Sequence, residues 1–441
     1  MLFLLFIAYQ FAQIIALPFF VIYLLLRARK KAVFGNLKER LGWVPKPKDT
    51  NNVIWIHAVS VGETLATEHL VNHIKQQVPG AVCYQTTGTS SGKAMITKNI
   101  KADYASFLPF DFLPCMLLAF ARIKPHAIII IEAEQWPNVL MLAHFKNIPV
   151  YALSARLSER SFTRFKMFSF IFRPLFSIFS KIFAQTALDA TRFKQLGIEE
   201  NKITVLGDLK AFNVLEKRKS SYAYPRLQAW QATKDKQDQQ HTTLLVGSVH
   251  PGELEVYIKL FTELKKDFEH IRMILAPRHF HWKADLINQV EKAGFSYKLW
   301  DEQHEMTIQN IPDVLKTNDI LLVCKLGVLF DLYQFADIFY LGGTFIPVGG
   351  HNLLEPAVWA NPSFVGPYHI NCKATADALE EVGGLIKVDD DQALLSETEK
   401  LLRDEPLRTT MGTNNYQWLV REAGLVGRNL ENLFNSLKSR K

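Results

Sequence analysis

Short apolar runs recur along this chain, and several are separated by stretches with helical, amphipathic spacing. In the first half the runs fall at 53–59, 81–86, 127–131, 148–152, 181–184 and 203–206. Such runs read as buried strands, and their alternation with helical stretches predicts a parallel, doubly wound α/β sheet. The stretch from Asn213 to Thr242 is polar, charge-rich and aperiodic, and reads as a linker carrying one helix. The pattern restarts at Thr243–Val246 and continues at Arg272–Leu275, Ile320–Val323, Ile338–Leu341 and Ser363–Val365. This predicts a second α/β unit, followed by a charged helical tail from about Asp391. The expected division is therefore 1–26, 27–52, 53–212, 213–242 and 243–441.

The first of these segments breaks the pattern. Met1 to Leu26 carries no charged side chain and is long enough to cross a hydrocarbon core of about 30 Å. Arg27-Ala-Arg-Lys-Lys31 follows, and the positive-inside rule places that cluster and the rest of the chain in the cytoplasm. A cleaved signal peptide is disfavoured, because there is neither a basic leading region nor a small-residue cleavage site. Gln10, Gln13 and Pro18 weaken the span, so a helix lying in the membrane interface stays open as a second reading. A basic connector reaches Asn52, with a short surface helix expected within Gly35–Gly42. Phe162 to Phe183 is crowded with Phe and carries only basic charges, which fits a membrane interface for about residues 160–173 and buried core after Pro174.

The 441 residues are 48% hydrophobic, enough for two sizeable cores, and the formal net charge of +8 suits anionic partners. No DNA- or RNA-binding motif is present, so nucleic acid ranks low. Cys83, Cys115, Cys324 and Cys372 show no CxxC spacing, which argues against zinc and disulfides. His57, His250, His279 and His351 are scattered, so no metal is expected.

Candidate chemistry concentrates where strands end. Val53–Ile56 runs into Ser60-Val-Gly-Glu63, which puts a carboxylate at a strand's C-terminal end, where open α/β sheets bind ligands. The same spacing is a capping box, a purely structural reading. Ile128–Ile131 ends in Glu132-Ala-Glu134-Gln-Trp-Pro-Asn138; the two acids either face the crevice or favour a helix dipole. Thr86-Thr-Gly-Thr-Ser-Ser-Gly92 is either an anion-binding turn or a plain β–α turn. Arg156 suits an oxyanion but is equally a surface residue. Gly342 to Glu355 contains a Gly-rich turn at a helix start, a phosphate cradle by chemistry.

His57-Ala-x-Ser60-Val-Gly-Glu63 resembles the signature of the bacterial Kdo transferases, which move 3-deoxy-D-manno-octulosonic acid from CMP-Kdo onto a lipid A precursor. Glu132-x-Glu134-x-Trp-Pro-Asn138, Leu153–Ser161, Gly207-Asp-Leu-Lys210, Gly247–Glu253 and Gly349-Gly-His-Asn-Leu-Leu-Glu355 are similar to further family segments. The resemblance runs to about residue 385. It implies a GT-B glycosyltransferase with two Rossmann-like domains facing a central cleft, inverting and metal-free, bound to the inner membrane with its catalytic domains in the cytoplasm. Glu63 would be the general base, Glu132 or Glu134 would organise the reacting groups, and Lys210 would neutralise the leaving phosphate. Arg156 and Arg160 would meet the acceptor, a tetraacyl disaccharide bisphosphate. Pro277, Arg278, Leu326, Gly327, Val328, Asn352, Leu353, Leu354 and Glu355 would hold the donor. The chain departs from the family at Cys324, Lys325 and Val328, where Asp, Thr and Glu are usual, and at Leu353, where Pro is usual. Those changes keep open another nucleotide-sugar donor, or a non-catalytic lipid-binding scaffold of the same fold.

Overall fold

The computed structural model describes residues 1–27, 36–221 and 241–438. Most of the basic cluster after the first helix and residues 222–240 of the expected linker lie outside them. The chain divides into two compact units, Met1–Asn213 with Glu422–Lys441, and Val214–Arg421.

The first unit is built on seven parallel strands: β1 (Val53–His57), β2 (Val82–Thr87), β3 (Tyr104–Phe107), β4 (Ala127–Ile131), β5 (Val150–Ala155), β6 (Lys181–Ala184) and β7 (Ile203–Val205). Their order is β3-β2-β1-β4-β5-β6-β7, so the winding reverses between β1 and β4. Every residue of β1 and β4 is buried, as a central parallel strand covered by helices on both faces requires. Burying each Ile of Ala127-Ile-Ile-Ile-Ile131 contributes roughly 1.5–3 kcal/mol. Trp55 is fully buried and satisfies its indole by donating to Thr86 Oγ1 at 2.9 Å.

The second unit repeats the architecture with β8 (Thr242–Val249), β9 (Ile271–Pro277), β10 (Tyr297–Trp300), β11 (Ile320–Val323), β12 (Ile338–Leu341), β13 (Ser363–Val365) and β14 (Leu385–Lys387). Here the order is β10-β11-β9-β8-β12-β13-β14, and the winding reverses between β8 and β12.

Three strands, β3, β10 and β14, were not expected from the apolar pattern, and all three are sheet edges. The tail also differs from expectation. Residues Glu422–Lys441 group with the first unit instead of completing the second. The reason is burial: Leu430, Leu433 and Phe434 are covered, and Asn429 donates to the Val205 carbonyl at 2.8 Å. The expected linker begins inside the helix Leu209–Ser220.

The N-terminal helix Leu2–Arg27 contains one segment, Leu2–Ile22, long and apolar enough to cross a membrane. One of its faces is docked on the first unit. Gln10 donates to Asn138 Oδ1 at 2.7 Å, Asn138 donates to Gln13 Oε1 at 3.1 Å, and Tyr9 donates to Asp111 Oδ2 at 2.8 Å. The polar residues that weaken the helix as a span are thus its attachment points. Phe3, Phe11, Ile15 and Phe19 remain exposed on the helix. In the Phe-rich segment, Met167 and Phe170 are exposed near the break between helices Glu159–Met167 and Ser169–Phe176, while Leu175, Phe176 and Phe179 are core.

Candidate active site

The reversal between β1 and β4 brings the strand-end acids of the first unit together. Glu63 follows β1, and Glu132 and Glu134 follow β4. Glu132 and Ala133 both take left-handed backbone, each at φ 59°. That conformation costs a non-glycine residue roughly 1–2 kcal/mol, and it shapes the turn that carries Glu132 and Glu134. Glu132, Glu134, Trp136 and Arg156 line one cavity of about 300 Å³. Arg156 Nη1 lies 4.0 Å from Glu132 Oε1, and Trp136 donates its indole N–H to Glu134 Oε2 at 3.0 Å.

The electrostatics follow from crowding three carboxyls in a partly desolvated space. Burial pushes the Glu134 pKa up to about 7, helped by the charges of Glu63 and Glu132. Glu132 is also raised, first by burial; Arg156 and Lys210 oppose that, while Glu63 and Asp208 add to it. Lys210, at the start of the helix Leu209–Ser220, and Arg156, just after β5, therefore act on the same carboxylate. Behind them His57 is buried and held neutral, its pKa pulled down to about 3 by desolvation. Its Nδ1 pairs with Thr86 Oγ1 at 2.9 Å, and its Nε2 lies 3.9 Å from Glu134 Oε2.

Glu63 does complete a capping box. Its N–H donates to Ser60 Oγ at 3.3 Å, and Ser60 N–H donates to Oε1 at 3.3 Å. The Ser60 hydroxyl donates to Oε1 at 2.6 Å, and Val59 N–H donates to Oε2 at 2.9 Å. An ionised carboxylate offers about four acceptor positions. The three described bonds leave one at Oε2, so capping and proton acceptance are compatible in the same side chain. In the Thr86–Gly92 turn, Thr89 caps helix Ser90–Asn99 and Thr87 donates to the Val59 carbonyl. Arg160 is exposed in the first turn of helix Glu159–Met167, outside the carboxylate cavity.

In the second unit the reversal between β8 and β12 juxtaposes the loop after β8 with the Gly-rich loop after β12. Glu253 joins them, accepting from His250 N–H at 2.8 Å and from Gly343 N–H at 2.6 Å. Glu253 closes the Gly247–Glu253 motif with no role that its sequence suggests, and its complete burial is visible only in the fold. Several amides of the expected phosphate cradle are taken within the protein. The amide of Gly342 donates to the Gly247 carbonyl of β8, those of Gly349 and Gly350 to the Gly343 carbonyl, that of Gly343 to Glu253, and that of Leu354 to Asn352 Oδ1. Arg278 is exposed after β9, and His250, His279 and His351 group beside it. Burial, with the charges of His250, Arg278 and His279, holds His351 down at about 4; burial, His279 and Arg278 lower His250 as well.

Glu355 meets Lys217 at 3.3 Å on the five-residue helix Leu354–Val358. Leu353, Leu354 and Pro277 are buried, so only their backbone can meet a ligand. Leu326 is exposed, and Gly327, at φ 84°, faces open space. Cys324 is core, whereas Val328 is half-buried. Among the described residues no three His, Cys, Asp or Glu side chains are grouped to hold a metal ion.

Residues 35–213 match the family model described as 3-deoxy-D-manno-octulosonic-acid transferase (kdotransferase). The chain is 30% identical over 371 residues to the 3-deoxy-D-manno-octulosonic acid transferase of Chlamydia muridarum, covering 82% of this chain and 81% of that one. It is 29% identical over 411 residues to the protein of the same name from Haemophilus influenzae, covering 90% of each. Among solved structures, the UDP-GlcNAc 2-epimerase of Neisseria meningitidis superimposes with a TM-score of 0.55 at 14% identity, over 86% of this chain and 100% of that one. That likeness concerns the fold, which is GT-B. This chain belongs to the 3-deoxy-D-manno-octulosonic acid transferase family of glycosyltransferases.

Proposed function

We propose that this chain transfers Kdo from CMP-Kdo to the tetraacylated disaccharide bisphosphate precursor of lipid A, with inversion at the anomeric carbon. An acceptor hydroxyl oxygen attacks that carbon, the bond to the CMP phosphate oxygen breaks, and the hydroxyl proton passes to Glu63. Glu132 and Glu134 orient the reacting groups, while Lys210 offsets charge on the departing phosphate. Arg156 meets an acceptor phosphate, and Arg160 extends that contact. Arg278, Asn352 and Glu355 hold the donor, together with the backbone of Pro277, Leu326–Val328, Leu353 and Leu354. The reaction needs no metal. The N-terminal helix keeps the enzyme on the cytoplasmic side of the inner membrane, where the basic residues after it favour that orientation.

One observation carries this reading: Glu63 stands at the β1/β4 reversal with Glu132 and Glu134, and cations reach the same cluster from the segments that follow β5 and β7. A proton acceptor and cations for an oxyanion are what glycosyl transfer from a nucleotide monophosphate requires. The test is to incubate the protein with CMP-Kdo and the tetraacylated acceptor. Stoichiometric CMP release with addition of Kdo mass to the acceptor is expected. Transfer from UDP-sugars in preference, or no mass gain, contradicts it.

A further inference from the structure

An apolar cavity of about 590 Å³ opens beside the N-terminal helix. Ile14, Leu17 and Val21 form one wall, and Phe112, Leu113 and Cys115 form another. The two helix amides at the cavity are turned to the protein: Gln10 donates to Asn138 Oδ1 at 2.7 Å, and Gln13 donates to the Asp111 carbonyl at 2.5 Å and accepts from Asn138 at 3.1 Å. The cavity is therefore lined by hydrocarbon, and its outer wall belongs to the helix that is apolar enough to enter a membrane.

A second cavity, of about 430 Å³, shares Gln13, Phe20, Phe110 and Phe112 as walls with the first. It adds Arg40, Val59 and Trp136. Val59 donates to Glu63, and Trp136 donates to Glu134, so this second cavity abuts the acidic cluster. Arg40 is fixed there by donating to the carbonyls of Gly88 at 2.5 Å and Leu108 at 3.3 Å, with its guanidinium 4.5 Å from the Phe107 ring. Apolar slot, half-buried cation and carboxylates thus follow one another along a continuous wall. A ligand that matches this order has a hydrocarbon tail, an anionic group and a reacting hydroxyl.

We propose that the cavity beside the N-terminal helix seats one acyl chain of the acceptor glycolipid, with Arg40 facing the anionic group next to it. The proposal rests on the reading that the acceptor is a glycolipid. It assigns the N-terminal helix a part in selecting the substrate beyond attachment. Each methylene taken from water into such a slot contributes roughly fourfold in affinity.

Photocrosslinking and kinetics test it together. A tetraacylated acceptor with a diazirine at an acyl terminus should label Ile14, Leu17 and Val21 together with residues 110–115 of the full-length protein. Unlabelled acceptor should compete, and excess phosphatidylethanolamine vesicles should not. In Leu17→Trp and Cys115→Trp, which fill the slot, KM for the acylated acceptor should rise by roughly tenfold or more, the equivalent of one or two methylenes. Transfer to the fully deacylated disaccharide bisphosphate should stay within about twofold of the unsubstituted protein's rate. Labelling confined to Phe11, Ile15 and Phe19 on the outward face, displacement by phospholipid, or equal kinetic effects on both acceptors would overturn the slot. Failure of the unsubstituted protein to transfer Kdo to either acceptor would instead overturn the reading beneath it.

Discussion

Glu253 Oε1 accepts the Gly343 backbone N–H at 2.6 Å, and this bond ties the turn after β8 to the Gly-rich turn after β12. The same oxygen holds His250 N–H at 2.8 Å. Burial raises the Glu253 pKa, and these amides oppose the rise. Replacing the carboxylate leaves buried N–H groups unpaired, which costs roughly 1–3 kcal/mol. Calorimetry of Glu253→Ala should show the second unit destabilised by that amount, with the loop opened to hydrogen exchange at Gly343. Normal melting and unchanged exchange would remove Glu253 from this role.

The carboxyl cluster predicts a pH signature. The folded-state Glu134 pKa is raised from 4.5 to about 7. Below 4.5 the group is protonated in both states. As pH climbs from about 4.5 to 7, the unfolded chain releases a proton that the folded one retains, so stability falls across that window. Glu134→Gln removes the penalty. Its melting temperature should match the parent near pH 4.5 and exceed it by a few degrees at pH 8, corresponding to roughly 1–2 kcal/mol once screening in a partly open pocket is allowed for. A difference that does not change with pH contradicts the assignment.

Asn138 is fully buried and bridges Gln10 and Gln13 of the N-terminal helix to the first unit. Asn138→Ala should leave both sheets folded while loosening the helix. Limited proteolysis should then cut within residues 5–20 of the detergent-solubilised variant faster than in the parent. Equal cutting rates would mean that apolar packing alone holds the helix.

How much of this was legible in the sequence depends on what each residue faces. The buried central strands, such as Ala127–Ile131, announce themselves because both faces are apolar. The edge strands Tyr104–Phe107, Tyr297–Trp300 and Leu385–Lys387 do not; they are short, and two of them carry a Lys. Glu63 was visible as a motif, with capping and catalysis left undecided, and its geometry accommodates both. Gln10 and Gln13 read as blemishes in a membrane span, since their partners Asn138 and Asp111 lie more than ninety residues away. The Gly-rich turn reads as an open cradle because sequence cannot show that Glu253 and neighbouring carbonyls take the amides of Gly342, Gly343, Gly349 and Gly350.

Donor recognition is tested at Arg278 and Glu355. Arg278 is exposed beside the histidine group, and Glu355 faces Lys217. Arg278→Ala and Glu355→Ala should each weaken CMP binding by roughly 1–3 kcal/mol, read by titration calorimetry, with little change in acceptor KM. Unchanged CMP affinity in both variants would move the donor site elsewhere.

Glu63→Gln is the most direct test of the catalytic account. Gln keeps an acceptor for the Ser60 hydroxyl and amide, but turns an NH2 toward Val59 N–H, so a stability loss of roughly 1 kcal/mol is expected. It cannot take the proton of the attacking hydroxyl. Measured with CMP-Kdo and the tetraacylated acceptor at neutral pH, the transfer rate should fall by roughly 10²–10⁴ while CMP affinity holds. A Glu63→Gln protein that melts near the parent and transfers Kdo at a near-normal rate would contradict Glu63 as the base.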